Sequence, residues 1–251
     1  MRRYRVLVAI LLGLVCVSVL LNVFLFNQTK KYYLDLNRER LDPLGLESHP
    51  LVELPGPGDS GEPTVVFLGD SRAAAWFPPS LPIGVRFINR GIDGQTSAQV
   101  RYRFDHDVGL IQPDVIVLQV GINDLKTIPL FPDQEDAIVE RVKSNIAEIV
   151  AQARDMNAKV ILTTVFPVGE IPLARRPFWS PKVNMAIDNV NAYIASLEGH
   201  DIVILDAYKV LSNETTTQDL YVDELHLNSA AYDLLNQEMG PLLVDVIETL
   251  E

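Results

Sequence analysis

Thr64-Val65-Val66-Phe67-Leu68-Gly69-Asp70-Ser71-Arg72 decides the reading of this chain. Its first five residues form an unbroken, β-branched apolar run, the pattern of a strand buried on both faces. Gly69 and Asp70 then turn the backbone, and Ser71 falls where the next element begins. A strand covered on both faces belongs to a parallel sheet, and such sheets place their sites beyond the carboxyl ends of the strands. Ser71 stands at that position.

Four further runs have the same character: Val85–Asn89, Val115–Val120, Lys159–Thr164 and Ile202–Leu205. Segments with helical spacing alternate with them. One spans Ser97–Leu110 after Thr96. Asp136–Met156 carries Ile138, Val142, Ile146, Ile149 and Val150 on one face. Lys182–Glu198 follows Pro181, and Ser229–Leu250 follows an Asn228 cap. The alternation predicts a three-layer α/β/α sandwich.

Outward from this body, Val6 to Phe26 is uncharged and, as a helix, spans roughly 31 Å, enough for a hydrocarbon core. Arg2, Arg3 and Arg5 precede it and Lys30 and Lys31 follow, which predicts a cytoplasmic N-terminus and an extracytoplasmic body. The run is longer than a signal h-region and ends Phe24-Leu25-Phe26-Asn27, so the reading is an uncleaved anchor, with a cleaved signal as the alternative. Residues 30–40 are charged and can continue as a short helix. Pro43 to Pro63, centred on Gly56-Pro57-Gly58, reads as a linker. The expected organisation is thus a membrane anchor over 1–29, a juxtamembrane segment and linker over 30–63, and one domain over 64–251. Cys16, the single cysteine, lies in the apolar segment, which excludes an intrachain disulfide and a cysteine-built zinc site. The net charge is −12, with three of the positive charges ahead of the anchor, so nucleic acid is excluded as a partner. The oligomeric state is left open. Asn27-Gln28-Thr29 and Asn213-Glu214-Thr215 are sequons only in a host that glycosylates them.

Three polar blocks follow the strands: Gly69-Asp70-Ser71-Arg72, Asn89-Arg90-Gly91 and Gly121-Ile122-Asn123-Asp124. A fourth, Asp223-Glu224-Leu225-His226, precedes the last helix. Ser71 is a candidate nucleophile, with a helix N-cap as its plainer reading. His226 is a candidate base, and Asp223 three residues earlier can reach its Nδ1 and fix its tautomer. The base must be neutral, so activity should rise through about pH 6–7, the ordinary histidine range. The Asn123 amide and the N–H groups of Ser71 and Gly91 are candidate oxyanion donors. Gly91 lacks a Cβ and admits close approach. Asp70 and Asp124 read as loop braces. His49, His106 and His200 have no carboxylate at the spacing that serves His226 and read as structural or solvated. The loop 167–181 carries Arg175, Arg176, Phe178 and Trp179, suited to a sugar, aryl or anionic group, or simply packed on the surface.

In order and spacing these blocks resemble the GDSL, or SGNH, hydrolases, whose Ser, Gly, Asn and His match Ser71, Gly91, Asn123 and His226, with the acid at Asp223. The likeness covers about residues 64–235. It implies a flavodoxin-like five-stranded parallel sheet ordered 2-1-3-4-5 and ester hydrolysis through an acyl-serine, without metal or cofactor. Its ester substrate is a small molecule, a lipid or an acylated glycan, with an O-acetylesterase on cell-envelope carbohydrate and a lipase-like acylhydrolase as the two forms. Arg72 replaces the usual Leu, and Glu224 and Leu227 stand where Gly and Pro are common. The alternatives are an O-acyltransferase of surface polysaccharide, using the same groups, and an inactive glycan- or protein-binding fold. A metal site built on Asp70, Asp223 and His226 has poor ligand spacing. Gly91-Ile92-Asp93-Gly94 is not a dinucleotide fingerprint.

Overall fold

The computed structural model describes residues 1–51, 61–212 and 220–250. The Gly56-Pro57-Gly58 centre of the expected linker and the Asn213 sequon lie outside them. The chain divides into two units, Met1–Ser48 and His49–Glu251.

In the first unit, α1 (Arg2–Leu41) is one continuous helix of 40 residues with no buried side chain. It runs through the charged residues that follow the apolar stretch, and it is long and apolar enough to cross a membrane. A signal sequence near an N-terminus passes the same test.

The second unit is built on five parallel strands: β1 (Thr64–Gly69), β2 (Arg86–Gly91), β3 (Val115–Gln119), β4 (Lys159–Thr163) and β5 (Ile202–Leu205). Their order, β2-β1-β3-β4-β5, is the expected 2-1-3-4-5. The register brings Gly69 level with Gly91 and Gln119, so the ends carrying the polar blocks form one rim. Side chains alternate between two cores. Val66, Leu68, Ile116, Leu118, Val160 and Leu162 face one way, toward α3 (Ser97–Tyr102), α5 (Glu135–Asp155) and α6 (Lys182–Ala195). Val65, Phe67, Val115, Val117 and Ile161 face the other, toward Trp76 and α8 (Ser229–Glu248). Each fully buried aliphatic side chain contributes about 1.5–3 kcal/mol relative to exposure. Burial on both faces is why the runs of the central strands β1, β3 and β4 are continuous, while the edge strands β2 and β5 are only partly buried.

Short helices complete the rim: α2 (Ser71–Ala74) after β1, α4 (Ile122–Leu125) after β3 and α7 (Ala207–Ser212) after β5. The expected caps form. Thr96 and Gln99 make a capping box on α3, and Asn228 accepts from Ala231 N at the start of α8. The helix expected over Ser97–Leu110 is broken: α3 ends at Tyr102 and a π-helical turn spans Asp105–Gly109. The break has a polar occupant. Asp107 is fully buried there and bonded to Arg103 and to Arg90, whose Nη2 lies at 2.7 Å. Arg103 in turn donates from Nη2 to the Gly69 carbonyl at 2.8 Å, bracing the backbone just ahead of Ser71. Apolar periodicity carries no signal of such a network.

Candidate active site

Ser71 is the first residue of α2, directly beyond β1. Asp70 caps this turn, its Oδ1 accepting from Arg72 N at 2.9 Å. Ser71 N–H has no partner among the described residues. Across the rim, Val222 N donates to the His226 carbonyl at 2.8 Å, closing a compact loop ahead of α8. Within that loop Asp223 Oδ1 accepts from the N–H groups of Leu225 and His226, both at 2.8 Å, leaving Oδ2 for His226 Nδ1 at 2.7 Å. The far nitrogen, Nε2, meets Ser71 Oγ at 3.1 Å. Serine, histidine and aspartate come together from positions 155 and 3 residues apart in sequence. In this geometry an imidazole can take a hydroxyl proton while a carboxylate holds its other nitrogen. Partial burial pushes the Asp223 carboxyl up, but bonds from His226 and two backbone N–H groups outweigh it, so the group lies below the usual carboxylate value.

Asn123 lies on α4 and is buried. Its Nδ2 donates to the Gln95 carbonyl at 3.0 Å, and the second Nδ2 hydrogen has no partner among the described residues. The two carboxylate oxygens of Asp124 accept from Ser97 N and Oγ, both at 2.8 Å, tying α4 to the start of α3. Gly91 differs from expectation. Its N–H donates to Asn89 Oδ1 at 2.8 Å, and a Cβ there would lie 2.1 Å from Ala74 N. The close approach this glycine permits is that of α2, the helix bearing Ser71. Asn89 Nδ2 meanwhile donates to the Ala73 carbonyl at 2.9 Å, so Asn89 and Gly91 both hold the C-terminal end of α2.

A cleft of about 260 Å³ opens beside His226, lined by Lys126, Leu130, Arg175, Phe178 and Trp179 among others. The loop singled out for substrate thus shares a cleft with His226 and Asp223. Arg175 Nε lies 3.2 Å from Glu224 Oε1, so part of its charge is already matched. Lys126 was not singled out from sequence. Burial pulls its ammonium below the ordinary lysine value, with Arg175 and Arg72 acting in the same sense and Asp70 and Glu224 opposing. The available signal was its place three residues after Asn123, one helical turn on. Two of the other histidines meet a carboxylate at a different spacing from that of Asp223 and His226. His106 and His200 each hydrogen bond the aspartate that follows them, at 2.8 and 2.7 Å, because adjacent side chains reach one another without a folded loop. Neither meets a serine, threonine or cysteine hydroxyl or thiol among the described residues.

A model of the GDSL-like Lipase/Acylhydrolase family matches residues 55–234. The chain is 28% identical over 196 residues to platelet-activating factor acetylhydrolase IB subunit alpha2 of Gallus gallus, covering 74% of this chain and 79% of that protein. It is 26% identical over 87 residues to an acetylxylan esterase of Geobacillus stearothermophilus, covering 34% and 39%. The solved structure of a GDSL-like lipase from Bacteroides thetaiotaomicron VPI-5482 superposes with a TM-score of 0.57 at 23% identity, covering 84% of this chain and 98% of that one.

Proposed function

The chain belongs to the GDSL-like Lipase/Acylhydrolase family, and on that premise we propose that it hydrolyses esters with Ser71 as nucleophile, His226 as general base and Asp223 as the acid that orients the base. The observation that carries the reading is the relay Ser71 Oγ, His226 Nε2, His226 Nδ1, Asp223 Oδ2, with contacts of 3.1 and 2.7 Å.

His226 takes the Ser71 proton as Oγ attacks the ester carbonyl. The tetrahedral oxyanion accepts hydrogen bonds from Ser71 N–H and the Asn123 amide. The N–H of Gly91 is committed to Asn89 and adds to the hole only where the Asn89 side chain releases it. His226 protonates the leaving alcohol. A water then enters, gives a proton to the same imidazole and attacks the acyl-serine, and the acid departs.

For the substrate we propose a short acyl ester, acetyl foremost, on an alcohol that packs against Phe178 and Trp179. The small cleft favours a short acyl group, and two relatives bear the names of acetyl-ester hydrolases. We further propose that residues 1–29 anchor the chain in a membrane, with its N-terminal arginines in the cytoplasm and residues 64–251 on the opposite side, joined by residues 30–63. The support is the uncharged stretch inside α1 and the three arginines ahead of it.

The test is p-nitrophenol release from C2 to C12 esters by the full chain in detergent, beside Ser71→Ala. Turnover that is highest at C2 and absent in the variant supports the reading. Equal turnover in a folded Ser71→Ala protein removes Ser71 as nucleophile, and a maximum at C8 or beyond removes the short-acyl assignment.

A further inference from the structure

We propose that Lys126 is a positioning residue of the oxyanion hole, acting on the reaction through the side-chain amide of Asn123. The inference rests on the reading of Asn123 as an oxyanion donor. Lys126 Nζ lies 2.5 Å from Asn123 Oδ1, while Asn123 Nδ2 donates to the Gln95 carbonyl at 3.0 Å. These two contacts define the orientation of the amide. A flipped amide would set its NH2 against the ammonium and its carbonyl oxygen against that of Gln95, losing both bonds and adding two repulsions. One N–H of the pair is therefore left for a ligand, and its direction is fixed before substrate arrives.

The contact also has an electronic consequence. A cation bound to the amide oxygen draws electron density from nitrogen, which strengthens the remaining N–H as a donor. The effect grows as negative charge develops on the substrate oxygen, so it favours the transition state over the bound ester. Lys126 is free for this task. Among the described residues no carboxylate lies within salt-bridge distance of it, although Glu224, which lines the same cleft, is paired with Arg175. A half-buried lysine whose ammonium is bonded to a neutral amide carries a solvation cost without an ion pair in return, which a purely structural role leaves unexplained.

The test is a double-mutant cycle on the full chain with p-nitrophenyl acetate, measuring kcat and KM for Lys126→Met, Lys126→Arg, Asn123→Ala and Asn123→Ala/Lys126→Met. Loss of the oxyanion donor in Asn123→Ala should lower kcat about 10²–10³-fold. Lys126→Met should lower kcat about tenfold with KM changed less than about twofold, since only the strength and aim of one donor are altered. Lys126→Arg should recover most of that loss. In the Asn123→Ala background, Lys126→Met should change kcat less than about twofold. Equal losses in both backgrounds would overturn the proposal and make Lys126 a residue that acts independently, and a change confined to KM would make it a direct contact for the substrate. An unchanged kcat in Lys126→Met would overturn it as well. Should Asn123→Ala keep full kcat while Ser71→Ala is inactive, the oxyanion role of Asn123 falls and this inference with it, while the Ser71 reading stands. Asn123→Ser replaces Asn123→Ala if thermal melting shows the latter unfolded.

Discussion

Arg72 Nε donates to the Leu225 carbonyl at 2.9 Å, joining the residue that follows Ser71 to the residue that precedes His226. The same guanidinium donates to the carbonyls of Phe166 and Pro167 at 3.2 and 3.3 Å and lies over the Phe166 ring, 5.2 Å from its centroid. It is buried and reaches no solvent. The departure from the usual Leu leaves the serine hydroxyl untouched, as expected, but it adds a strut between the two loops whose separation sets the Ser71–His226 distance. Arg72→Leu strips the Phe166 and Leu225 carbonyls of their donor, while the Pro167 carbonyl keeps the Tyr221 hydroxyl at 2.8 Å; unpaired buried acceptors cost about 1–3 kcal/mol each. The variant should lose at least about 2 kcal/mol of stability and most of its turnover. Arg72→Lys should recover little, since an ammonium lacks the planar fork that reaches three acceptors. Thermal unfolding and ester turnover check this, and an Arg72→Leu protein with wild-type Tm and kcat would rule the strut out.

Asp70 is fully buried and its Oδ2 has no partner among the described residues. Burial lifts its carboxyl to about 6, against the charge and backbone N–H of Arg72, which lower it. The sign follows from linkage. A folded value above the unfolded one means that the folded state holds the proton more tightly, so the stabilising contribution is complete below about pH 4 and is lost as pH rises through 6. At pH 7.5 the buried charge costs about 3 kcal/mol relative to pH 4. Asp70→Asn keeps an acceptor for Arg72 N and removes the titration. Its stability relative to the parent should therefore rise between pH 4 and pH 7.5 by that order. Urea unfolding of both proteins across this range measures it, and a difference independent of pH would contradict it.

Gly91 is held by packing against the helix that carries Ser71. A Cβ would fall 2.1 Å from Ala74 N and 2.5 Å from Ala74 Cα, and backbone atoms cannot rotate aside. Gly91→Ala must push α2 away from β2 and Ser71 away from His226. We expect a loss of about 3 kcal/mol, the upper end for overpacking, together with a fall in kcat of at least about 10²-fold from the misplaced nucleophile. Thermal melting with kcat measurement decides, and a variant with parental kcat would show that the sheet edge yields without moving Ser71.

The sheet was legible because its three central strands, β1, β3 and β4, are buried on both faces. An apolar run such as Val115–Val120 is too short for a core helix and too uniformly apolar for a strand with one wet face. The positions of Ser71 and Asn123 followed, since a residue just past such a run must lie at the rim, and the four-residue block ending in His226 carried its own acid. Other features were hidden for one physical reason: they rest on polar groups whose partners are distant in sequence. Arg72 reads as a surface charge until its three carbonyls, from residues 166, 167 and 225, are brought around it. Asp107 reads as a helix-surface aspartate until Arg90 and Arg103 enclose it. Gly91 was legible as a place of close approach, but what approaches is α2, a contact that depends on how a four-residue helix settles against a neighbouring strand.

Asp223 serves the loop and the base with different oxygens, so its two roles can be separated. Oδ1 accepts the Leu225 and His226 N–H groups and Oδ2 faces His226 Nδ1. Asp223→Asn keeps a carbonyl oxygen for the two backbone donors but sets an NH2 against Nδ1. The imidazole must then carry its hydrogen on Nε2, where it cannot accept the Ser71 proton. We expect kcat to fall about 10³–10⁴-fold with KM and Tm nearly unchanged. Asp223→Ala loses the backbone bonds too and should melt earlier. The carboxyl of Asp223 sits below its unfolded value because the bonds it accepts outweigh the effect of partial burial. Its stabilising contribution is therefore present above about pH 4, the unfolded value, and fades as pH falls through the lower folded value, so the melting gap between Asp223→Ala and the parent should narrow as the pH is lowered below about 4. Melting curves from pH 2.5 to pH 7 test the pH dependence. An Asp223→Asn protein that keeps parental turnover would show that the tautomer of His226 is set elsewhere.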